Sequence, residues 1–198
     1  RNEMIKSVAK QLSNVLENDD LVMLRSTVTV GTSKNIIKPI LDKANKKYYF
    51  AFCPERTMEG KAIDELSSLP QIVGGIDQES QQIASEFFLN FNEIIIKVSN
   101  LETAEMMKLV DNTYRDLNFA YANEIARLCN EINVDCHEVI KMGKIGYKRT
   151  NVSLPGPVGG PCLEKDTFIL SESFKKYRVK PSLSLLARKN NQKMFDDV

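Results

Sequence analysis

The first strong signal along the chain is helical: Met4, Ile5, Val8, Leu12, Val15 and Leu16 recur at the spacing of one helix face. Asn18, Asp19 and Asp20 break that pattern, and residues 21–24 read as a short buried strand. A helix is expected over residues 33–44 in spite of Pro39, then a strand over residues 48–52. A third strand is expected over residues 71–73, stopped by Gly74 and Gly75. Asp77 is placed to cap a helix that reaches Leu89, and a fourth strand follows over residues 94–98. Strand and helix thus alternate through residues 1–98, which argues for an α/β layer with a largely parallel sheet.

The pattern changes near Asn100. Residues 101–131 contain no Gly and no Pro, and helix formers dominate. About 30 residues rising roughly 1.5 Å each give a rod about 45 Å long. Its apolar residues (Met106, Leu109, Val110, Leu117, Tyr121, Ile125, Leu128) fall on more than one side. Two apolar faces suggest packing on a second subunit as well as on the rod's own domain. Asp135 and Glu138 form a capping-box pattern ahead of a short helix through Lys141. Residues 143–162 hold Gly143, Gly146, Pro155, Gly156, Pro157, Gly159, Gly160 and Pro161, and read as a long irregular loop of the kind that usually carries function. Helix returns over residues 165–176, and Pro181 opens a last helix toward Val198.

Composition narrows the classes. The 198 residues carry 27 basic and 26 acidic side chains, so there is no electrostatic case for a nucleic-acid or membrane partner. No apolar run approaches the roughly 20 residues of a membrane span. Cys53, Cys129, Cys136 and Cys162 form no C-x-x-C pair, and His137 is the sole histidine, so no zinc site is expected. Free thiols in a reducing cytoplasm are the expectation. The chain opens on Arg1 rather than Met, and is expected to begin inside a longer protein or to follow processing.

Three places could carry chemistry. Cys162 follows Gly159-Gly160-Pro161 and precedes Lys165-Asp166 at a helix start. A helix N-terminus and a nearby ammonium favour a thiolate, but a lone Cys after a turn is as readily a small packing residue. Lys108 and Asn112 share a helix face, with Arg115 a turn further on. That stripe is either solvated or aimed into a cleft. Arg25-Ser26-Thr27 follows the first strand, and Cys53-Pro54-Glu55-Arg56 with Glu59-Gly60 follows the second. Ligands of open α/β sheets bind beyond strand carboxyl ends, yet loop carboxylates in water would look the same. His137 is expected to serve at a helix start rather than in catalysis, and Cys129 and Cys136 to pack.

Taken together these segments resemble the UDP-glucose/GDP-mannose dehydrogenase family. Arg25-Ser26-Thr27-Val28 with Gly31-Thr32 resembles its R-S-T-V-x-x-G-T strand end. Pro54-Glu55-Arg56 with Glu59-Gly60 resembles its P-E-x-x-x-E/P-G loop. Glu105, Lys108, Asn112 and Arg115, followed by Asn123-Glu124, resemble its central helix, and residues 159–166 resemble its nucleophile signature G-G-x-C-x-x-K-D. The resemblance implies an α/β fold: part of a Rossmann-like parallel sheet, then a long central helix and a helical dimerisation domain. Residues 1–100 would be the later part of an NAD-binding domain, and residues 101–198 the central catalytic and dimerisation domain.

It also implies the chemistry. The family oxidises a primary alcohol at C6 of a nucleotide-linked sugar to a carboxylate with two NAD per turnover. Cys162 would be the nucleophile, Lys108 and Asn112 would hold the C6 oxygen, and Asp166 would position a water or Lys108. Glu55 would be the general base for thioester hydrolysis, and Thr27 would hold a water or the nicotinamide end. Ser26, Thr27, Glu59 and Lys165 would lie on the cofactor side. Glu55, Arg56, Lys108, Asn112, Arg149, Asn151, Gly159 and Gly160 would meet the nucleotide-sugar, with Arg149 a candidate to reach across a homodimer built on the 101–131 helix. Cys162, Lys108, Asn112 and Asp166 are expected to converge, with Glu55 facing them.

Two departures qualify that expectation. No G-x-G-x-x-G occurs in the 198 residues, and that turn is what cradles a dinucleotide pyrophosphate. The family's C-terminal Rossmann-like domain is not represented either. The sugar is expected to be a UDP-N-acetylhexosamine, since Arg56 could read an acetamido carbonyl, with UDP-glucose the alternative. A non-catalytic dimerisation fragment is the rival reading. A Cys hydrolase has little support, because His137 has no reason to approach Cys162.

Overall fold

The structure, a computed structural model, describes residues 2–58, 60–160 and 162–196. Helix α1 (Asn2–Val15) buries Ala9 and partly buries Ile5, and Leu16 closes its inner edge. Strand β1 (Asp20–Leu24) follows. Residues 33–44 then deviate from the expected helix: a π-turn over Ser33–Ile37, a single α turn (α2, Lys38–Leu41) and a 3-10 turn over Asp42–Ala44. Pro39 is the reason. It lacks the N–H an α ladder needs, and the backbone widens ahead of it, with the Lys38 amide donating five residues back to the Ser33 carbonyl.

Strand β2 (Tyr48–Phe52) pairs in parallel with β1, Leu21 opposite Tyr49 and Met23 opposite Ala51. Helix α3 (Ala62–Ser68), which the sequence pattern did not reveal, precedes β3 (Gln71–Gly75). Helix α4 (Gln78–Leu89) starts where expected, its Asp77 carboxylate accepting from the Ser80 amide at 2.7 Å. Strand β4 (Ile95–Val98) runs parallel to β3. The sheet order is β1-β2-β3-β4, with β2 and β3 antiparallel and the two outer ladders parallel, hence the largely parallel character.

Gly74 and Gly75 do not stop β3 but lie inside it. A Cβ on Gly74 would stand 2.5 Å from the Asn100 carbonyl oxygen and 2.8 Å from the Ala104 Cβ, and one on Gly75 would stand 2.5 Å from the Asp77 carbonyl oxygen. The glycines let two helix starts press on the sheet. Alternate residues of the strands serve two cores. Val22, Leu24, Phe50, Phe52 and Ile72 meet Leu41, Leu101 and Ala104 on one face; Leu21, Met23, Ala51, Cys53 and Val73 meet Ala84 and Phe88 on the other. Burial on both faces explains why the strands read as unbroken apolar runs.

Helix α5 (Leu101–Glu131) keeps its full expected length. Two compact units divide within it, residues 1–108 and 109–198. In the second unit α6 (Cys136–Gly143) is capped by Asp135, which accepts from the His137 amide at 2.8 Å rather than from Glu138. Ala122, Cys129, Cys136 and Ile140 form a small core there. Residues 144–160 are irregular apart from turns, α7 (Leu163–Phe174) follows Cys162, and α8 (Ser182–Asp196) follows Pro181. Among the described residues no helix is long and apolar enough to cross a membrane.

Candidate active site

In the first unit, the ends of β1 and β2 are tied together by their own side chains. The Arg25 guanidinium donates to the Glu55 carboxylate at 2.5 Å and lies over the Phe88 ring, 5.2 Å from its centroid. Ser26 is exposed and Thr27 half-buried just beyond β1, while Glu55 and Arg56 are half-buried beyond β2. The Lys108 ammonium donates to the Glu55 backbone carbonyl. Burial raises the Glu55 carboxyl, but the Thr57 amide at 2.9 Å, the Thr57 hydroxyl, the Arg25 charge and the Arg56 amide outweigh it, so the net shift is downward. Glu55 is held as a carboxylate. Cys53, beside it in sequence, is fully buried and its thiol is pushed up to about 12 by burial, against the pull of Arg25. It is a packing residue, not a nucleophile.

One turn before Lys108, the buried Glu105 carboxylate accepts from the Gly31 amide at 2.5 Å, the Ser33 amide at 2.8 Å and the Ser33 hydroxyl at 2.7 Å. Burial raises its pKa, against the pull of those three donors. Helix α5 therefore anchors the loop after β1 through Glu105 and the loop after β2 through Lys108.

In the second unit, Cys162 is exposed and occupies the N-cap position of α7 without a side-chain cap bond. Its carbonyl accepts from the Asp166 amide at 3.1 Å. Asp166 is 1% exposed, and its carboxylate accepts from the Asn112 side-chain amide at 2.5 Å. Asn112, Asp166 and the Cys162 backbone are thus brought together, while Lys108 stands one turn before Asn112 on the same helix. Glu164 holds the approach to the cysteine: its carboxylate accepts from the Gly160 amide at 3.1 Å and its own amide donates to the Gly160 carbonyl at 3.3 Å. Gly160 adopts φ +96°, a conformation that favours glycine.

The remaining sequence candidates are more open. Gly159 and Gly160 are exposed and Lys165 is half-buried in α7. Arg149 is exposed, 5.3 Å from the Tyr147 ring centroid. Asn151 is exposed, its backbone carbonyl accepting from Asn118 at 2.7 Å. Glu59 lies outside the described residues. No metal-holding group of His, Cys, Asp or Glu occurs among the described residues. Sequence reasoning missed Asp116, Arg188 and Asn191, which are 1%, 1% and 0% exposed. A signal existed: Glu105, Asn112, Asp116 and Asn123 recur on one face of α5 among buried positions, which is where polar residues need a reason.

The chain belongs to the UDP-glucose/GDP-mannose dehydrogenase family: residues 2–92 match its NAD binding domain and residues 102–193 its central domain. UDP-N-acetyl-D-mannosamine dehydrogenase of Methanococcus maripaludis is 39% identical over 169 residues, covering 85% of this chain and 38% of that protein. The enzyme of the same name from Methanocaldococcus jannaschii is 35% identical over 176 residues, covering 88% and 40%. The solved structure of UDP-D-ManNAc dehydrogenase from Pyrococcus horikoshii superposes with a TM-score of 0.88 at 30% identity, covering 96% of this chain and 46% of that one. The chain therefore spans about two fifths of the length of the curated relatives it matches.

Proposed function

We propose that this chain is the central portion of an NAD-dependent nucleotide-sugar 6-dehydrogenase. The whole protein would convert the C6 hydroxymethyl of a UDP-N-acetylhexosamine to the uronate. UDP-N-acetyl-D-mannosamine is the first choice because the relatives above are named for it, and UDP-glucose is the alternative. Residues 1–100 would be the later part of the NAD-binding domain and residues 101–198 the central domain. The observation that carries the reading is the exposed Cys162 at the head of α7, one turn before a buried Asp166 fixed by Asn112.

On this reading the C6 aldehyde, formed by the first oxidation, is attacked by the Cys162 thiolate to give a thiohemiacetal. Lys108 and Asn112 steady the oxygen on which negative charge develops. Loss of a second hydride leaves a thioester on Cys162. Glu55, held as a carboxylate, removes a proton from the water that attacks it, and the uronate leaves as the thiol is regenerated. Asp166 positions a water or Lys108, and Thr27 a water. Two NAD, bound in turn, would each take up one of the two hydrides. Thr27, beyond β1, would hold the nicotinamide end of NAD, and Ser26, Glu59 and Lys165 would lie on the cofactor side. The chain's residues offer no glycine-rich turn for its pyrophosphate. Arg56, Arg149, Asn151, Gly159 and Gly160 would contact the nucleotide-sugar.

Val110, Tyr114, Tyr121 and Leu128 form an exposed apolar stripe on α5, which supports a homodimer through that helix, with Arg149 reaching toward the partner. The four free thiols suit a reducing cytoplasm, and the balanced charge gives no case for a nucleic-acid partner. The test is made in the full-length protein. Two NADH should form per uronate, Cys162→Ala should abolish uronate formation, and Cys162→Ser should stall before hydrolysis with a covalent sugar ester detectable by mass. Uronate formation at the wild-type rate by Cys162→Ala would refute covalent catalysis.

A further inference from the structure

The second unit buries a polar cluster that the chemistry above does not use. The Arg188 guanidinium of α8 donates to the Asp116 carboxylate at 2.9 Å and to the Val158 carbonyl at 2.9 Å. Asn191, three residues on, donates to the Asp116 carboxylate and backbone carbonyl, both at 2.8 Å. Asn123 donates to the Asn191 side-chain oxygen at 3.2 Å and to the Gly156 carbonyl at 3.1 Å, and accepts from the Gly156 amide at 2.8 Å. Half a turn outward, Asn118 donates to the Asn151 carbonyl and accepts from the Ser153 amide at 2.8 Å.

A buried ion pair gives little net stability over apolar packing, because both charges lose their water. What an apolar pair could not do here is hold a loop. Residues 151–158 belong to no helix or strand, and Pro155 and Pro157 have no backbone N–H to donate. Such backbone has no ladder to join, so its carbonyls and amides need side-chain partners. Asn118, Asn123 and Arg188 supply them at residues 151, 153, 156 and 158, the stretch that runs straight into Gly159, Gly160 and Cys162. The same face of α5 carries Asn112, which holds Asp166.

Resting on the proposed function, we infer that Arg188, with Asp116, Asn191, Asn123 and Asn118, is a positioning device that sets residues 151–158 in one conformation for the nucleotide-sugar and registers them with the Asn112–Asp166 pair. These residues touch no reacting atom. They act through the loop.

The experiment compares Arg188→Lys and Asn118→Ala with wild type in the full-length protein. Arg188→Lys keeps the charge but loses the two-pronged guanidinium contact, and Asn118 is half-buried, so its variant keeps the fold if Arg188→Lys does not. Amides of residues 153–160 should exchange with deuterium about tenfold faster, and KM for UDP-N-acetyl-D-mannosamine should rise about tenfold while KM for NAD holds within about twofold. Lowered melting temperature with unchanged loop exchange and unchanged sugar KM would overturn the inference, leaving a merely structural cluster. If wild type turns over no UDP-sugar, the proposed function fails. Loop exchange still decides whether the cluster sets the loop, and slowing of that exchange by added UDP-N-acetyl-D-mannosamine, present or absent, decides whether the loop serves that ligand.

Discussion

Among the four cysteines the environment separates one from three. Cys53, Cys129 and Cys136 are buried, and burial pushes the Cys53 thiol up to about 12. At pH 8 a thiol of that kind is ionised in about one molecule in ten thousand. Burial also raises Cys136, with Cys129 beside it adding to the effect. Brief treatment with iodoacetamide should therefore label Cys162 about a hundredfold faster than Cys53, as peptide mass spectrometry would show. Equal labelling of Cys53 in folded protein would contradict its burial. Glu55 offers a second residue-level check. Its pKa is lowered, so whatever stability its contacts provide is present above the ordinary glutamate range and disappears as pH falls through its own depressed value. Carboxyl NMR should place the Glu55 midpoint below those of exposed glutamates, and Arg25→Gln should move it upward. A midpoint at or above the ordinary range would mean that burial outweighs the Thr57 and Arg25 contacts.

At the scale of elements, β3 makes the sharpest prediction. Gly74→Ala places a methyl against the Asn100 carbonyl and Ala104, neither of which is a flexible chain end, and should cost about 3 kcal/mol in urea unfolding. Gly143→Ala, with nothing within 4 Å of the added atom, should be neutral or slightly stabilising. Equal effects would show that the α5 start does not press on β3. These glycines also mark where the sequence was hard to read. Local pattern recovered α5 to the residue, from a run free of Gly and Pro, and β2 likewise, from five consecutive apolar residues. It misread Gly74 and Gly75 as a strand end, since a close approach of another element leaves no trace in local pattern. It missed α3 because Ile63 is 87% exposed and Leu66 is exposed too, so no apolar face marks that helix. It did not foresee the π-turn before Pro39. At the site, spacing showed only that Lys108 and Asn112 share a helix face, and the pairing of Asn112 with Asp166, 54 residues on, was implied by the family resemblance alone. Of the Asp116–Arg188–Asn191 cluster only Asp116 left a signal, by its place on the polar face of α5; Arg188 and Asn191 lie 72 and 75 residues further on, and single charges on helices usually face water.

For the molecule as a whole, the face of α5 that carries Val110, Tyr114, Tyr121 and Leu128 is exposed in a single chain, with Tyr121 54% and Leu128 58% accessible. Their spacing of four, seven and seven residues keeps them in one stripe, and a stripe of that length is costly to leave in water. A two-fold pairing buries it on both copies at once. The purified 198-residue protein should then have a solution mass near twice the 22.4 kDa of one chain. Tyr121→Glu combined with Leu128→Glu should return it to one chain without loss of helix, since neither side chain is buried. A wild-type monomer by light scattering would sink the pairing. The same sample tests whether NAD needs the missing turn. Its residues include no G-x-G-x-x-G, and a dinucleotide pyrophosphate draws most of its hold from the amides of such a turn and the helix behind it. Reduction of NAD with UDP-N-acetyl-D-mannosamine by this chain alone should be negligible even where the dimer forms. Robust turnover would mean that Ser26, Thr27 and Lys165 bind NAD without the glycine-rich turn, and that the pyrophosphate finds its hydrogen-bond donors elsewhere in the chain.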